Sequence, residues 1–417
     1  MSTSWLRCVA CGRDLEGGTL AASCPACGGE LAVEYSSPRP SAAEGPGIFR
    51  FAGRLPISSP GQAISLGEGD TPLISLNGTP GGGPGPGRLR VKCEHMNPTG
   101  SFKDRIAAVA ATIMAERSIA GCVGTSSGNG GAAMAAYAAR AGRSFMVFML
   151  TDTVPQKLLQ IRAAGARVAL LRGLGHDAAA TEFAAGTIVR AALARGLLPF
   201  ITAARFAPES MEGAKTIAYE LAEQAPAATA VYVPIGGGGL FSAIGRGYRE
   251  LAGAGGVGGW PAAGSPRLVA VQPSGCATIA GLRAGRGTGL DRPVETKLSG
   301  LQVPVLFDAR GVTAAIEWSG GHHVEVDDDD VFRHQERLAR QEGIMLEPAG
   351  AAALAAVTAD LRRGALGPDD DVIVIGTGAG YKDVQALDRI AGEEQPVLCG
   401  IDEIDEMLST VGGDDDG

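Results

Sequence analysis

The stretch Asn97-Pro98-Thr99-Gly100-Ser101-Phe102-Lys103-Asp104-Arg105 decides how this 417-residue chain is read. Thr99, Gly100 and Ser101 carry turn and cap chemistry. Ile106, Val109, Ala110 and Ile113 then recur at helical spacing. Lys103 therefore stands at the mouth of a turn, in the first turn of a helix. The positive end of a helix dipole disfavours an ammonium at that position. An amine destined to be neutral, as in a Schiff base with an aldehyde, is tolerated there. An ordinary lysine on an exposed helix end satisfies the spacing equally well.

Composition bounds the class. The hydrophobic fraction is 45% and the charged fraction 19%, which suits a well-buried globular enzyme rather than a disordered chain. The 63 glycines are about twice the usual share and sit beside apolar runs, as in an α/β protein with many loops. The length allows two to three domains of about 150 residues each. The net charge of −9 is unevenly placed: Glu393, Glu394, Asp402, Glu403, Asp405, Glu406 and Asp414 to Asp416 match it, with no Lys or Arg among them. The tail reads as a solvated segment, the body is near neutral, and nonspecific nucleic-acid binding is disfavoured. Trp5 to Val9 is too short and too polar for a secretory leader. No apolar run reaches the roughly 20 residues of a membrane helix. A cytoplasmic protein with no membrane partner is expected.

Four of the eight cysteines form two knuckles, Cys8-x2-Cys11 and Cys24-x2-Cys27, and Gly12, Gly28 and Gly29 follow them. Two such pairs present four thiolates to one tetrahedral ion, and Zn²⁺ is the usual occupant. With four ligands and no open position the ion is structural. A thiol–disulfide couple is the alternative, but it needs a thioredoxin-like helix that this region lacks. No basic cluster accompanies the knuckles, which argues against nucleic acid as their partner.

Beyond the knuckles, Ser36 to Gly47 reads as a linker, and Thr79 to Gly87 as a Gly/Pro loop. Val91 to Glu94, Phe145 to Leu150, Arg167 to Leu171, Thr229 to Ile235, Leu268 to Gln272 and Val372 to Ile375 are strand candidates. Helical patterns lie at 132–141, 154–164, 177–195 and 209–224. Such alternation implies parallel strands with crossover helices. Three loops carry chemistry. Gly236 to Gly239 follow a strand and precede a helix, so their amides can turn toward one anion; a flexible turn is the plainer reading. Thr125-Ser126-Ser127-Gly128-Asn129 can cap a helix or grip a carboxylate. Gly376-Thr377-Gly378-Ala379-Gly380-Tyr381-Lys382-Asp383 follows the last strand, where Thr377 can simply cap a turn.

The segment NPTGSFKDR resembles the cofactor-lysine motif of threonine synthase and its relatives, the fold-type II pyridoxal-phosphate (PLP) enzymes. Gly67-Glu68-Gly69-Asp70-Thr71-Pro72-Leu73 resembles another motif of that family, and the resemblance covers residues 66 to 390. Many threonine-synthase-like proteins also begin with a zinc ribbon. The resemblance implies an α/β fold of two parallel-sheet domains preceded by that ribbon. The ribbon is placed at 1–36, a linker at 37–65, a large PLP-binding domain at 66–96 and 205–392, a small domain at 97–204 and the acidic tail at 393–417. It implies that Lys103, with Phe102 beside it, holds PLP covalently, that Gly236, Gly237, Gly238 and Gly239 bind its phosphate, that Asn129 bonds its phenolic oxygen and that Thr377 faces its ring nitrogen. Ser126, Ser127, Gly130, Arg205 and Ser210 are the implied substrate contacts, and Cys8, Cys11, Cys24 and Cys27 the zinc ligands. The family is commonly homodimeric.

The chain departs from the synthase pattern in places. Gly130 stands where threonine synthases usually have Thr. The segment Glu212-Gly213-Ala214-Lys215-Thr216 is kept, but Ala204-Arg205 and Ser210 replace the polar set before it. The loops Val233 to Leu240 and Ser126 to Asn129 also look similar to those of threonine and serine dehydratases. The expected activity is thus a threonine-synthase-like lyase, with O-phosphohomoserine as the first substrate. The alternative is a dehydratase-type or β/γ-replacement enzyme on another amino acid. A catalytically idle zinc-ribbon binding module is disfavoured by Lys103, Asn129 and the glycine loop.

Overall fold

The apolar runs Ala230–Pro234, Arg267–Pro273 and Asp371–Ile375 are buried along almost their whole length, as central strands covered on both faces must be. A computed structural model describes residues 4–36, 45–78, 85–253, 265–392 and 396–408. The linker reading at 37–44, the loop reading at 79–84 and the tail at 393–395 and 409–417 lie outside the described residues.

Three sheets form. Strands β1 (Ser4–Cys8), β2 (Asp14–Leu15) and β3 (Leu31–Tyr35) make a small antiparallel sheet in the order β2-β1-β3. The remaining strands are β4 (Leu73–Ser75), β5 (Arg88–Lys92), β6 (Gly121–Ser126), β7 (Ser144–Leu150), β8 (Arg167–Leu171), β9 (Leu198–Phe200), β10 (Ala230–Pro234), β11 (Arg267–Pro273), β12 (His322–Val326) and β13 (Asp371–Ile375). The larger sheet has the order β12-β11-β10-β13-β5-β4, parallel except for the edge strand β4. The smaller sheet, β8-β7-β6-β9, is wholly parallel.

Helices α1 (Lys103–Glu116), α2 (Asn129–Arg140), α3 (Pro155–Ala163), α4 (Ala178–Leu193), α5 (Pro208–Gln224) and α6 (Gly239–Gly253) alternate with strands in the first half of the chain. Then come α7 (Thr278–Arg283), α8 (Ala309–Ser319), α9 (Asp328–Glu342), α10 (Pro348–Arg362), α11 (Val384–Ala391) and α12 (Ile404–Leu408). Proline occupies the first helical position of α3, α5 and α10, where its missing N–H costs nothing. Gly320 and Gly343 end α8 and α9 in the left-handed conformation. Among the described residues no helix is long and apolar enough to cross a membrane.

The strand readings hold at β7, β8, β10, β11 and β13 to within two residues. The candidate at Val91 to Glu94 shifts back to Arg88–Lys92, because Glu94 opens a short 3-10 turn. The cap reading of Thr99 and Ser101 is corrected. No side chain caps α1; its first turn starts after Phe102, and the Ser101 hydroxyl is buried without a partner. Thr99 instead bonds Asp104, with Oγ1 donating to Oδ2 at 2.9 Å, so the helix's own first acidic residue reaches back to fasten the turn.

Residues 104 to 114 of α1 are all buried, so this helix is a core element rather than an amphipathic one. It packs between α2 and α5. A Cβ on Gly213 of α5 would lie 2.0 Å from the Arg105 carbonyl oxygen, so only glycine admits this crossing. The fully buried Arg105 guanidinium is held on two sides. Nε and Nη2 donate to Glu94 at 2.8 and 2.7 Å, and Nη1 and Nη2 donate to Glu220 at 2.6 and 2.7 Å. Lys92 Nζ donates to Glu220 at 2.6 Å and to the Thr71 carbonyl at 2.7 Å. Two cations and two carboxylates thus balance within the core and join β5, α1 and α5.

Removing one member leaves the others buried and uncompensated. Glu220→Ala is expected to lower the unfolding free energy by roughly 3–5 kcal/mol. The check is a fall in the urea midpoint at unchanged slope; a fall under about 1 kcal/mol, the scale of an exposed pair, contradicts the network's role.

Candidate active site

Parallel strands deliver their carboxyl ends to one side of a sheet, and the connections that follow them meet there. The loop after β5 leads to Lys103, β6 ends on Ser126 and its loop runs through Ser127 to Asn129 at the start of α2, the loop after β10 carries Gly236 to Gly238 and meets α6 at Gly239, and the loop after β13 carries Thr377. These residues line one cavity, together with Phe102, Gly130, Thr202, Glu347 and others. The loops before α1 and after β13 are stitched together. Phe102 N donates to the Thr377 carbonyl at 3.2 Å, Ala379 N to the Gly100 carbonyl at 2.9 Å, and Lys382 Nζ to the Thr99 carbonyl at 2.7 Å.

Lys103 Nζ donates to Thr202 Oγ1 at 2.7 Å and sits 4.4 Å from the centre of the Phe102 ring. Burial lowers its pKa to about 7, against the opposing pull of Asp308 and Glu347. Desolvation is thus the main reason that this amine is readily neutral.

Asn129 is the first residue of α2. Its Nδ2 donates to Glu347 Oε1 at 2.5 Å, while its Oδ1 is buried with no partner. Glu347 also pairs with Lys157 at 3.1 Å, both side chains being almost wholly buried, and Lys157 reaches Ser299 Oγ at 3.1 Å. Ser126 Oγ accepts from Gly128 N at 2.9 Å and Gly131 N at 2.8 Å, so it shapes the loop as well as lining the cavity. The glycine loop admits no side chain at its last position: a Cβ on Gly239 would lie 2.7 Å from the Thr202 carbonyl oxygen. Its neighbours leave backbone amides at the start of α6, a place suited to an anion.

Arg205 and Ser210 fall outside this cavity's lining. The Arg205 guanidinium pairs with Glu182 at 2.7 Å and stacks on Phe206, and Ser210 is buried in α5. Sequence reasoning missed Thr202, Glu347, Lys157 and Asp308. Glu347 had a signal, an acidic residue directly before the proline that opens α10. Thr202 and Lys157 had none, since only the folded chain brings them to the lysine and to Glu347. At the N-terminus the Sγ atoms of Cys8, Cys11, Cys24 and Cys27 all lie within 4.8 Å of one another.

Residues 64–378 match the model of the family described as pyridoxal-phosphate dependent enzyme. The chain is 30% identical to the threonine synthase of Methanocaldococcus jannaschii over 96% of its length and 98% of that protein. It is 31% identical to the threonine synthase of Methanosarcina acetivorans over 97% and 98%. Among solved structures it is similar in fold to an O-ureido-L-serine synthase mutant, with a TM-score of 0.63, 22% identity and coverage of 84% of this chain and 98% of that one.

The cofactor-free protein should titrate Lys103 near pH 7, whereas the unfolded chain holds that proton to the ordinary value of 10.5. The unfolded state then binds more protons between these values, so this lysine makes stability rise with pH across that window. Carbon-13 reductive methylation with NMR titration should give one resonance with an inflection of about 7. That resonance should be missing in Lys103→Met, and titration of every lysine at the ordinary value would contradict the expectation.

Proposed function

The chain belongs to the pyridoxal-phosphate-dependent enzyme family, and we propose that it works as a threonine-synthase-like lyase, breaking a bond at Cβ or Cγ of an amino acid. The observation that carries this reading is Lys103: a desolvated amine at the start of α1, sharing one cavity with Gly236 to Gly239.

The residues present fit the cofactor. Lys103 offers a readily neutral amine for its aldehyde, and the glycine loop offers unhindered N–H groups for its phosphate. The Asn129 amide, bonded to Glu347, would meet the phenolic oxygen, and Thr377 the ring nitrogen. Bound there, pyridoxal 5′-phosphate supplies an aldehyde for covalent capture of amino acids and an electron-withdrawing ring that acidifies the Cα–H bond. Ser126, Ser127 and Gly130 are proposed to hold the substrate carboxylate. The Lys103 amine would remove the Cα proton and return protons at later carbons. Thr202, its hydrogen-bond partner, keeps the amine aimed into the cavity. A hydroxyl at Thr377 would not enforce protonation of the ring nitrogen, which suits eliminations with a prompt leaving group.

We further propose a large lobe of residues 66–96 with 205–392, a small lobe of 97–204, and a homodimeric, cytoplasmic enzyme. We propose that Cys8, Cys11, Cys24 and Cys27 hold a structural Zn²⁺. Leu6, Leu15, Leu31 and Val33 give this region a very small core, which needs a staple. Tyr35 Oη, donating to Glu212 Oε2 at 2.7 Å, ties it to α5.

The named activity of the relatives makes O-phosphohomoserine, yielding threonine and phosphate, the first substrate to test. A dehydratase-type reaction on an uncharged hydroxy amino acid is the second reading. It is favoured because Lys103 is the one cation among the described residues that line the cavity. Purified protein should show a visible cofactor band that Lys103→Ala abolishes, with turnover falling at least about a thousandfold. Phosphate release from O-phosphohomoserine supports the first substrate, and ammonia with a 2-oxo acid from serine, threonine or homoserine the second. An unchanged rate in Lys103→Ala overturns the lyase reading.

Metal analysis should find one zinc per chain, lost in Cys24→Ser and on prolonged chelation, with earlier thermal unfolding of the N-terminal region. Reduced, untagged protein without zinc defeats the assignment.

A further inference from the structure

Asp308 stands behind the glycine loop, in a groove that it shares with Arg205, Arg246, Arg249 and Arg310. Among the described residues none of these four cations forms an ion pair with it; Arg205 turns to Glu182, and Arg246 to Glu212 and Glu250. The buried carboxylate instead accepts two backbone N–H groups, from Ala204 to Oδ2 at 2.8 Å and from Arg205 to Oδ1 at 3.0 Å. It also forgoes a more ordinary task. Asp308 directly precedes α8, where aspartate is among the preferred caps, but its side chain bonds no N–H of that helix. Burial pushes its carboxyl up to about 6 against the pull of the two amides, so it is ionised at neutral pH.

The backbone of the same residue holds the loop. Asp308 N donates to the Gly237 carbonyl at 3.0 Å. In a planar trans peptide the C=O and N–H groups point to opposite sides, so fixing that carbonyl directs the Gly238 N–H away from Asp308. Side chains of the 307–312 segment press on the loop as well. A Cβ would lie 3.1 Å from Phe307 at Gly237, 2.8 Å from Val312 at Gly238 and 3.2 Å from Asp308 Oδ2 at Gly239. Gly238 also needs its freedom, with a φ of +94°. Among the described residues none of the N–H groups of Gly236 to Gly239 finds an acceptor. Donors held open in this way are relieved by an anion. Through its side chain Asp308 joins this loop to Ala204 and Arg205, in the segment that carries Thr202, the acceptor for Lys103.

Resting on the cofactor reading above, we infer that Asp308 is a positioning residue that braces the glycine loop for the cofactor phosphate and locks that loop to the segment carrying Thr202. Two opposed effects give the inference a sign. A carboxylate acting only as a charge near the loop would repel a phosphate, so its removal would tighten binding. A carboxylate acting as a brace does the reverse: its removal loosens the loop and weakens binding, and the loss falls on the phosphate rather than on the aldehyde.

The test compares pyridoxal 5′-phosphate with pyridoxal, which lacks the phosphate, in reconstituting the full chain stripped of cofactor, each read from the visible band. Asp308→Asn keeps an acceptor for one amide and sets an NH2 group against the other. It should raise the half-saturating concentration of pyridoxal 5′-phosphate about tenfold and that of pyridoxal by less than about threefold. Arg310→Gln, an exposed neighbour in the groove that makes none of these bonds, should leave both unchanged. Equal weakening of both aldehydes marks a general loss of packing, and tighter binding of the phosphate form marks a bare charge effect. Either result overturns the inference, as does an Asp308→Asn chain that binds both as the wild type does. If the variant does not fold, the wild-type chain decides. Cofactor loading should slow amide hydrogen exchange at 203–205 and 306–309 together with the glycine loop, and protection confined to residues that line the cavity overturns the brace. A wild-type chain that forms no visible band with either aldehyde overturns the cofactor reading itself, and the inference falls with it.

Discussion

The buried guanidinium of Arg105 is the constraint on which the rest of the structure depends. Two residues after Lys103, it is gripped by Glu94 from the turn after β5 and by Glu220 from α5. Lys92 closes the ring from β5. Such a cluster has one low-energy arrangement, because any slip of α1 would strand a charge in the core. The start of α1 is thereby pinned between the two parallel sheets, and Lys103 can leave the helix in one direction only.

The second constraint is topological. Both α/β sheets present the carboxyl ends of their strands to the same cleft, so four loops from distant parts of the chain converge on the amine. Each loop is small or glycine-rich, which lets backbone groups approach. The convergence is held by main-chain bonds between the loop before α1 and the loop after β13. The same closeness removes water from Lys103, and the lost hydration moves its titration toward neutrality.

Electrostatic restraint follows from that burial. The cavity holds the Lys103 amine with Glu347 in its lining, while Asp308 lies behind the glycine loop, each carboxylate anchored by donors of its own. Glu347 acts through Asn129 and Lys157, and Asp308 through the backbone of Ala204 and Arg205. The N-terminal cysteine sheet stands apart from this chemistry. It is joined to α5 and α6 through Tyr35, Glu212 and Arg246 and leaves the catalytic cleft to the other two sheets.

Read by itself, the sequence determined the alternation of helices and strands, the parallel α/β class, the four clustered cysteines and the lysine motif. Each depends on residues close together in the chain, where apolar runs and turn residues act locally. Gly121–Ser126 escaped notice as a strand because its composition is that of a loop, and Leu198–Phe200 because it is short and contains Pro199, tolerated where β9 pairs only with β6 at an edge. Only the tertiary structure decided that Thr202 meets Lys103 across 99 residues, that Glu347 meets Asn129 across 218, and that Arg205 turns away from the cavity. Those pairings are set by how helices pack and where charge can be neutralised, and no local pattern in the chain encodes them.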